Sequence, residues 1–198
     1  MTVGVKKDIS LPPVCEKEVA RYAGGEFVPL KEEPRLTPMV CYIETDVFVD
    51  GGRVSLGKIS VNSKNLAKNL SGCKRALIFC ATVGAEVDRL VQKYSRLSPA
   101  AALMINAFGS ERAEALCDGF CHWFATERGV LLRPRFSPGY GDLPLELQRE
   151  IFALLEPEKR LGAALSESLI MSPSKTVTAI VGITTIESRN SRISTANL

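Results

Sequence analysis

The 198-residue chain is 45% hydrophobic and 24% charged, an ordinary balance for a soluble globular protein, and its length suits one sizeable core rather than two full domains. A net charge of +3 is too small to indicate nucleic-acid binding by itself, and no apolar run approaches the ~18 to 20 residues of a membrane span. Six cysteines without a Cys-x-x-Cys pair argue against a zinc ribbon or redox dithiol, and the first ten residues lack the apolar stretch of a secretory leader, so a reduced, cytoplasmic protein is expected.

Residues 1–38, with prolines at 12, 13, 29, 34 and 38, read as an extended lead-in that packs across the core and holds one short helix around 16–22. Strands are predicted at 40–43 and 47–49. Asp50-Gly51 ahead of 53–56 is a hairpin signal, because a tight hairpin turn needs residues that accept positive φ; residues 58–61 extend the meander. Ser63 is a candidate N-cap for a helix through Leu66 and Leu70 that Gly72 ends. The continuous apolar run 76–81 predicts a central buried strand. After it, Val87, Leu90, Val91 and Tyr94 recur at helical spacing, and Gly84 between the two is one glycine where a phosphate-binding fingerprint needs several.

Ser98-Pro99 joins an N-cap to a proline at the first helical position and opens the longest helix, which runs to about Arg128 with Gly129 as its stop. Leu103, Ala107, Leu116, Phe120, Trp123 and Phe124 form its predicted apolar face, interrupted by Asn106, Glu111, Arg112 and Glu114. A further helix covers 144–155, with Asp142 as a possible N-cap and Pro157 as its end, and residues 159–164 add another turn of helix. Residues 169–171 and 176–183 read as strands, and the Ser/Thr/Asn/Arg-rich stretch from Thr184 to Leu198 as a mobile tail. Strands first, then helices, then strand predict an α+β domain over residues 1–183 rather than a doubly wound sheet.

The chemistry concentrates in the stretch from Arg135 to Pro144. Arg135 offers a guanidinium able to hold a carboxylate through two parallel hydrogen bonds, Pro138 stiffens the loop, and Gly139 and Gly141 allow close backbone approach. With the hydroxyl of Ser137 and the phenol of Tyr140 this suits a small zwitterionic or nucleoside-bearing ligand; an ordinary Pro/Gly turn is the alternative. His122 is the only histidine, so a Ser-His-Asp or Cys-His mechanism would have to run through it. Cys117 and Cys121 share a helix face, but His122 points about 100° away from Cys121, and the two thiols read as small buried hydrophobes with no metal site. Glu111 and Glu114, three apart on the long helix, either meet a ligand's hydroxyls, amine or sulfonium or form a solvated pair beside Arg112. The deciding observation is which of them shares a concavity with Arg135 and Tyr140.

The segment Arg135-Phe136-Ser137-Pro138-Gly139-Tyr140 resembles the Arg-Pro-x-Pro-Gly-Tyr loop that binds S-adenosylmethionine in the activation (reactivation) domain of cobalamin-dependent methionine synthase, with Phe136 in place of Pro and Ser137 where Ala is typical. Residues 81–90, 106–116 and 172–180 look like segments of free-standing members of that family, in the same order. The resemblance implies a single C-shaped α+β domain with a twisted, largely antiparallel sheet. It implies an S-adenosylmethionine-binding accessory protein for reductive methylation of cobalamin, acting in trans on a methionine synthase that lacks its own activation domain, with a flavodoxin-like electron donor. A non-catalytic docking module for a corrinoid protein, or a part of another corrinoid methyltransferase system, is the alternative. Arg135 would pair with the methionyl carboxylate, Ser137 and Gly139 would contact the ligand through the backbone, and Tyr140 would sit near the reacting methyl and the corrin face. Glu114 is the best match to the family's helix carboxylate, with Glu111 as alternate. The chain has no Asp-x-His-x-x-Gly motif, so cobalamin would come from the partner; it also lacks a match to the family's N-terminal acidic contact and the cysteine-rich tail of some relatives.

Overall fold

A computed structural model describes residues 2–7 and 9–184. The elements in chain order are β1 (Gly4–Lys7), α1 (Glu16–Ala23), β2 (Met39–Asp50), β3 (Arg53–Leu56), β4 (Ile59–Asn62), α2 (Lys64–Asn69), β5 (Arg75–Thr82), α3 (Glu86–Leu97), α4 (Pro99–Arg128), β6 (Leu131–Leu132), α5 (Leu147–Leu155), α6 (Pro157–Leu161), β7 (Ala164–Leu165), β8 (Met171–Ser172) and β9 (Thr176–Thr184). The fold is α+β. Its main sheet runs β4-β3-β2-β5-β9-β6, with β1 also paired to β2 and every pairing antiparallel; β7 and β8 form a separate two-stranded ribbon.

Both faces of the sheet are buried at its centre, which explains why β5 reads as a continuous apolar run and why β9 is buried along most of its length. Successive side chains point to opposite faces. Ala76, Ile78 and Cys80 of β5, with Cys41, Ile43 and Ile180, pack beneath α2, α5 and α6 through Leu66, Leu70, Ile151 and Leu161. Leu77, Phe79 and Ala81, with Val40, Ala179 and Val181, pack beneath α3 and α4 through Leu90, Leu116, Phe120 and Phe124. A smaller cluster seats Val19 of α1 against Met104, Ala107 and Phe108.

The middle of α4 is therefore covered on several sides, so its burial does not follow a single stripe. Leu103, placed on the apolar face by its spacing, is 49% exposed, whereas Glu111 and Arg112 are buried. The caps are as the sequence implies: the Ser98 hydroxyl accepts from the Ala101 amide at 3.4 Å, and Gly129 closes the helix with φ of 59°. Gly109 lets α3 and α4 approach, since a Cβ there would lie 2.5 Å from Val87. The segments 81–90, 106–116 and 172–180 meet at one end of the sheet: Asp88 accepts from the Ser174 amide at 2.7 Å, Lys175 donates to Ser110 at 2.9 Å, and Thr176 donates to Thr82 at 3.0 Å.

Several boundaries differ from the sequence reading. The two strands expected at 40–43 and 47–49 are one strand, because Glu44 between them is paired with Arg75 and Arg128, and Thr45 is buried in the ladder. The lead-in contributes β1, whose four residues carry too little alternation to announce a strand. Pro157 ends α5 and also opens α6 at its first position, so the helix expected at 159–164 begins and ends earlier. The strand expected at 169–171 is a turn at Leu169, with φ of 64°, and β8 begins only at Met171. Thr184, assigned to the tail, is the last residue of β9; the rest of the tail lies outside the described residues. No helix among the described residues is long and apolar enough to cross a membrane.

Candidate functional site

The Arg135 loop is built from a bulged sheet edge. Leu132 pairs with Ile183, and Phe136 bridges Ile180, so four steps along this edge oppose three along β9. One extra residue in an edge strand is a β-bulge, a device that re-aims side chains. Pro134, which has no N–H to donate, lies in that irregular stretch. Arg133 donates its amide to Gly182 at 2.8 Å, and Phe136 and Ile180 exchange both backbone bonds at 2.9 and 2.8 Å. Phe136 turns into the core against Ile180, while Arg135 reaches α4.

Beyond Phe136 the chain folds into a tight turn. Tyr140 donates to the Ser137 carbonyl at 3.1 Å, Leu143 to Tyr140 at 3.1 Å, and Gly139 to Leu143 at 2.9 Å. Gly139, with φ of 86°, is in the conformation that favours glycine. Gly141 is constrained twice, by φ of 59° and by the Asn65 amide 2.5 Å from where a Cβ would stand. Asp142 then fastens the loop to α2: it accepts from the Ser63 hydroxyl and from the amides of Lys64 at 2.8 Å and Asn65 at 3.2 Å. The Ser63 hydrogen bond, joined by those two amides, holds the Asp142 carboxyl below the usual aspartate range. The expectation that Asp142 caps the helix following it is thus corrected. It completes the cap of a helix some eighty residues earlier, while Ser63 itself accepts from the Leu66 amide at 3.0 Å.

The loop overlooks a concavity of about 900 Å3 whose wall includes Glu114, Asp118, Cys121, Arg135, Ser137 and Tyr140. Arg135 donates through Nη2 to Glu114 at 2.6 Å and through Nη1 to Asp118. Burial works against its charge, but Cys117, Asp118 and Glu114 around it raise its pKa above the ordinary arginine value. Tyr140 is 70% exposed at the rim and meets the Phe136 ring edge-on at 5.5 Å. Arg135, Ser137, Tyr140 and Glu114 therefore share one concavity; Gly139 lies in the turn that supports it.

Glu111 faces elsewhere. It forms a buried ion pair with Arg112 and accepts from the Cys15 amide at 3.3 Å, while Arg112 donates to the carbonyls of Pro12 at 2.6 Å and Pro13 at 3.3 Å. The pair pins the N-terminal segment to α4 rather than standing in solvent, as a buried charge requires a partner. A step of three residues turns a helix by about 300°, enough to send Glu111 toward that segment and Glu114 toward the loop. A second concavity of about 960 Å3 lies on that side, between α4 and residues 10–22, and reaches Glu111 and the exposed His122; Glu114 and Asp118 border both.

Asp118 is the site residue that the sequence reading missed. It stands four residues after Glu114, on the same helix face, and that spacing was the available signal. Burial raises both neighbouring thiols, Cys117 strongly and Cys121 to about 11, so neither is a thiolate near neutral pH. Among the described residues no group of three His, Cys, Asp or Glu is placed to hold a metal ion.

No family model matches the sequence, and no curated protein matches it. Among solved structures the chain is similar to the MetH reactivation domain bound to AdoHcy, at 18% identity and a TM-score of 0.59, covering 74% of this chain and 58% of that one. The likeness is one of fold. The chain spans somewhat under three fifths of that structure's length.

Proposed function

We propose that the chain binds S-adenosylmethionine in the Arg135–Tyr140 concavity and acts in trans as an accessory protein for reductive methylation of the cobalamin of a methionine synthase. The observation that carries this reading is the meeting of Arg135, Glu114 and Asp118 in one concavity of about 900 Å3, on a fold similar to a reactivation domain bound to AdoHcy. The volume falls in the range of small-molecule sites. An arginine with two carboxylates beside it matches a zwitterion: three of the five guanidinium N–H groups remain for the ligand carboxylate, and Glu114 and Asp118 accept from its ammonium. Ser137 and Gly139 supply backbone contacts, and Tyr140 presents its ring at the open rim, where a methyl group would meet a partner.

The role is positioning. A sulfonium is already an activated leaving group, so holding the methyl in line lowers the barrier without an acid or base from this chain. The partner's cobalamin supplies the nucleophile and a flavodoxin-like protein the electron. The test is recovery of methionine synthase inactivated as cob(II)alamin, with reductant and S-adenosylmethionine, in the presence and absence of the chain, alongside calorimetry of ligand binding. Faster recovery with saturable binding supports the reading; no binding at millimolar ligand sinks it.

A second reading, a docking module for a corrinoid protein that no longer binds the ligand, is favoured by one feature: both terminal nitrogens of Arg135 are already engaged within the protein. Capture of a cobalamin domain that neither ligand nor Arg135→Ala affects would select it.

A further inference from the structure

Beside the Arg135 concavity lies a hollow of about 370 Å3 formed by Asn65, Lys68, Asn69, Arg133, Pro134 and Phe136, the last four of which border both spaces. Its lining holds two cations, two carboxamides and no carboxylate. Asn65, Lys68 and Asn69 stand at positions i, i+3 and i+4 of α2 and so share one helix face, and Arg133 enters from the bulged edge.

Among the described residues the charge here is uncompensated. Neither Lys68 nor Arg133 forms an ion pair among the described residues, whereas Arg135, two positions on, has both Glu114 and Asp118. Arg133 gives one N–H to the Ser71 carbonyl at 3.3 Å, and its Nε is buried without a partner. Asn69 donates to the Pro134 carbonyl at 3.2 Å, and its Oδ1 is likewise unpartnered. Buried polar groups are ordinarily satisfied, so the Arg133 Nε donor is unfinished as it stands, while Asn69 Oδ1 is an acceptor that calls for an O–H such as that of a protonated phosphate.

We propose that Asn65, Lys68, Asn69 and Arg133 form an anion subsite that takes a phosphate group. A guanidinium and an ammonium lining one hollow with two carboxamides, whose remaining N–H groups can donate, suit the tetrahedral oxygens of phosphate, which accept from several directions at once. The phosphate belongs either to a free phosphate ester or to a phosphodiester on a group that a partner presents at the neighbouring concavity; both offer anionic non-bridging oxygens, three on the monoester and two on the diester. The subsite stands apart from the S-adenosylmethionine reading, because the two ligands meet different side chains.

The test is calorimetric titration of the full chain with inorganic phosphate at low ionic strength, and separately with a phosphate monoester and a dialkyl phosphodiester. Saturable binding is expected, weakened about tenfold by Lys68→Gln and by Arg133→Gln, as for loss of a charged hydrogen bond, and unchanged by Lys17→Gln on α1. Preference for the monoester supports the site with a free ester as its ligand, and preference for the diester supports it with a partner-borne group. Arg133 packs closely on Gly182, so the exposed Lys68 provides the variant that does not threaten folding. No saturation, or equal weakening by Lys68→Gln and Lys17→Gln, means general surface attraction and overturns the proposal. A parallel S-adenosylmethionine titration keeps failure here distinct from failure of the proposed function.

Discussion

Replacing Arg135 with alanine separates the structural role of its ion pairs from a role in ligand binding. The Arg135 side chain is 24% exposed, and its partners Glu114 and Asp118 are 47% and 74% exposed. Pairs that face water to this extent contribute about 0.2–1 kcal/mol each, so losing both costs about 1 kcal/mol of stability. In a chain of this size that lowers Tm by roughly 2–4 °C. A ligand carboxylate held by the guanidinium is a charge-assisted contact, partly offset because Glu114 and Asp118 share the same nitrogens. About 2 kcal/mol of binding free energy should be lost, roughly a 30-fold rise in Kd. Calorimetry with S-adenosylmethionine and thermal melts on the same samples measure both. Arg135→Lys should restore part of the stability but little of the affinity, because an ammonium cannot serve two carboxylates and a ligand with a planar fork. A variant that melts as expected yet binds within about threefold of the parent would refute the carboxylate-clamp reasoning.

Three further outcomes follow from the packing. Ser63→Ala removes the cap of the Leu66 amide and the hydroxyl that Asp142 accepts, and should cost about 1–2 kcal/mol in denaturant unfolding while loosening the Arg135 loop to limited proteolysis. Phe120→Ala empties the centre of the cluster with Tyr42, Phe79, Trp123 and Phe124, and should cost about 3–5 kcal/mol by the same measurement. Burial lifts the Cys121 thiol to about 11 in the folded chain, above its ordinary value of about 8.5. The folded state therefore holds its proton more tightly: this contribution is complete below about pH 8.5 and is lost as pH rises toward 11. Melts across that range should decline less steeply for Cys121→Ala, and an equal slope would remove the argument.

The parts of the fold carried by local chemistry were legible. Ser63 and Ser98 cap the helices they precede, Gly129 stops α4, the hairpin expected at Asp50-Gly51 forms one residue later with Gly51 and Gly52 between Asp50 and Arg53, and the apolar run at 76–81 is the central strand. These features depend on a few neighbouring residues and on backbone preferences that a sequence displays directly. Exposed Leu103 and buried Glu111 escaped such reasoning, because α4 is covered by α1, α3 and the sheet at different heights, and helical spacing marks a stripe without saying how many neighbours cover it.

The candidate site divides in the same way. The sequence by itself supplied the loop chemistry, with Arg135, Ser137, the two glycines and Tyr140 within seven residues, because all of it lies on one short stretch. Only the tertiary structure chose among the acidic residues. It brought Glu114 and Asp118 to Arg135 and sent Glu111 to Arg112 and the N-terminal segment, a choice made by the rotation of α4 against an edge strand that one extra residue re-aims. Likewise Asp142 found its partners at Ser63 and Lys64, far away in the chain, because α2, packed over one face of the sheet, comes alongside the loop.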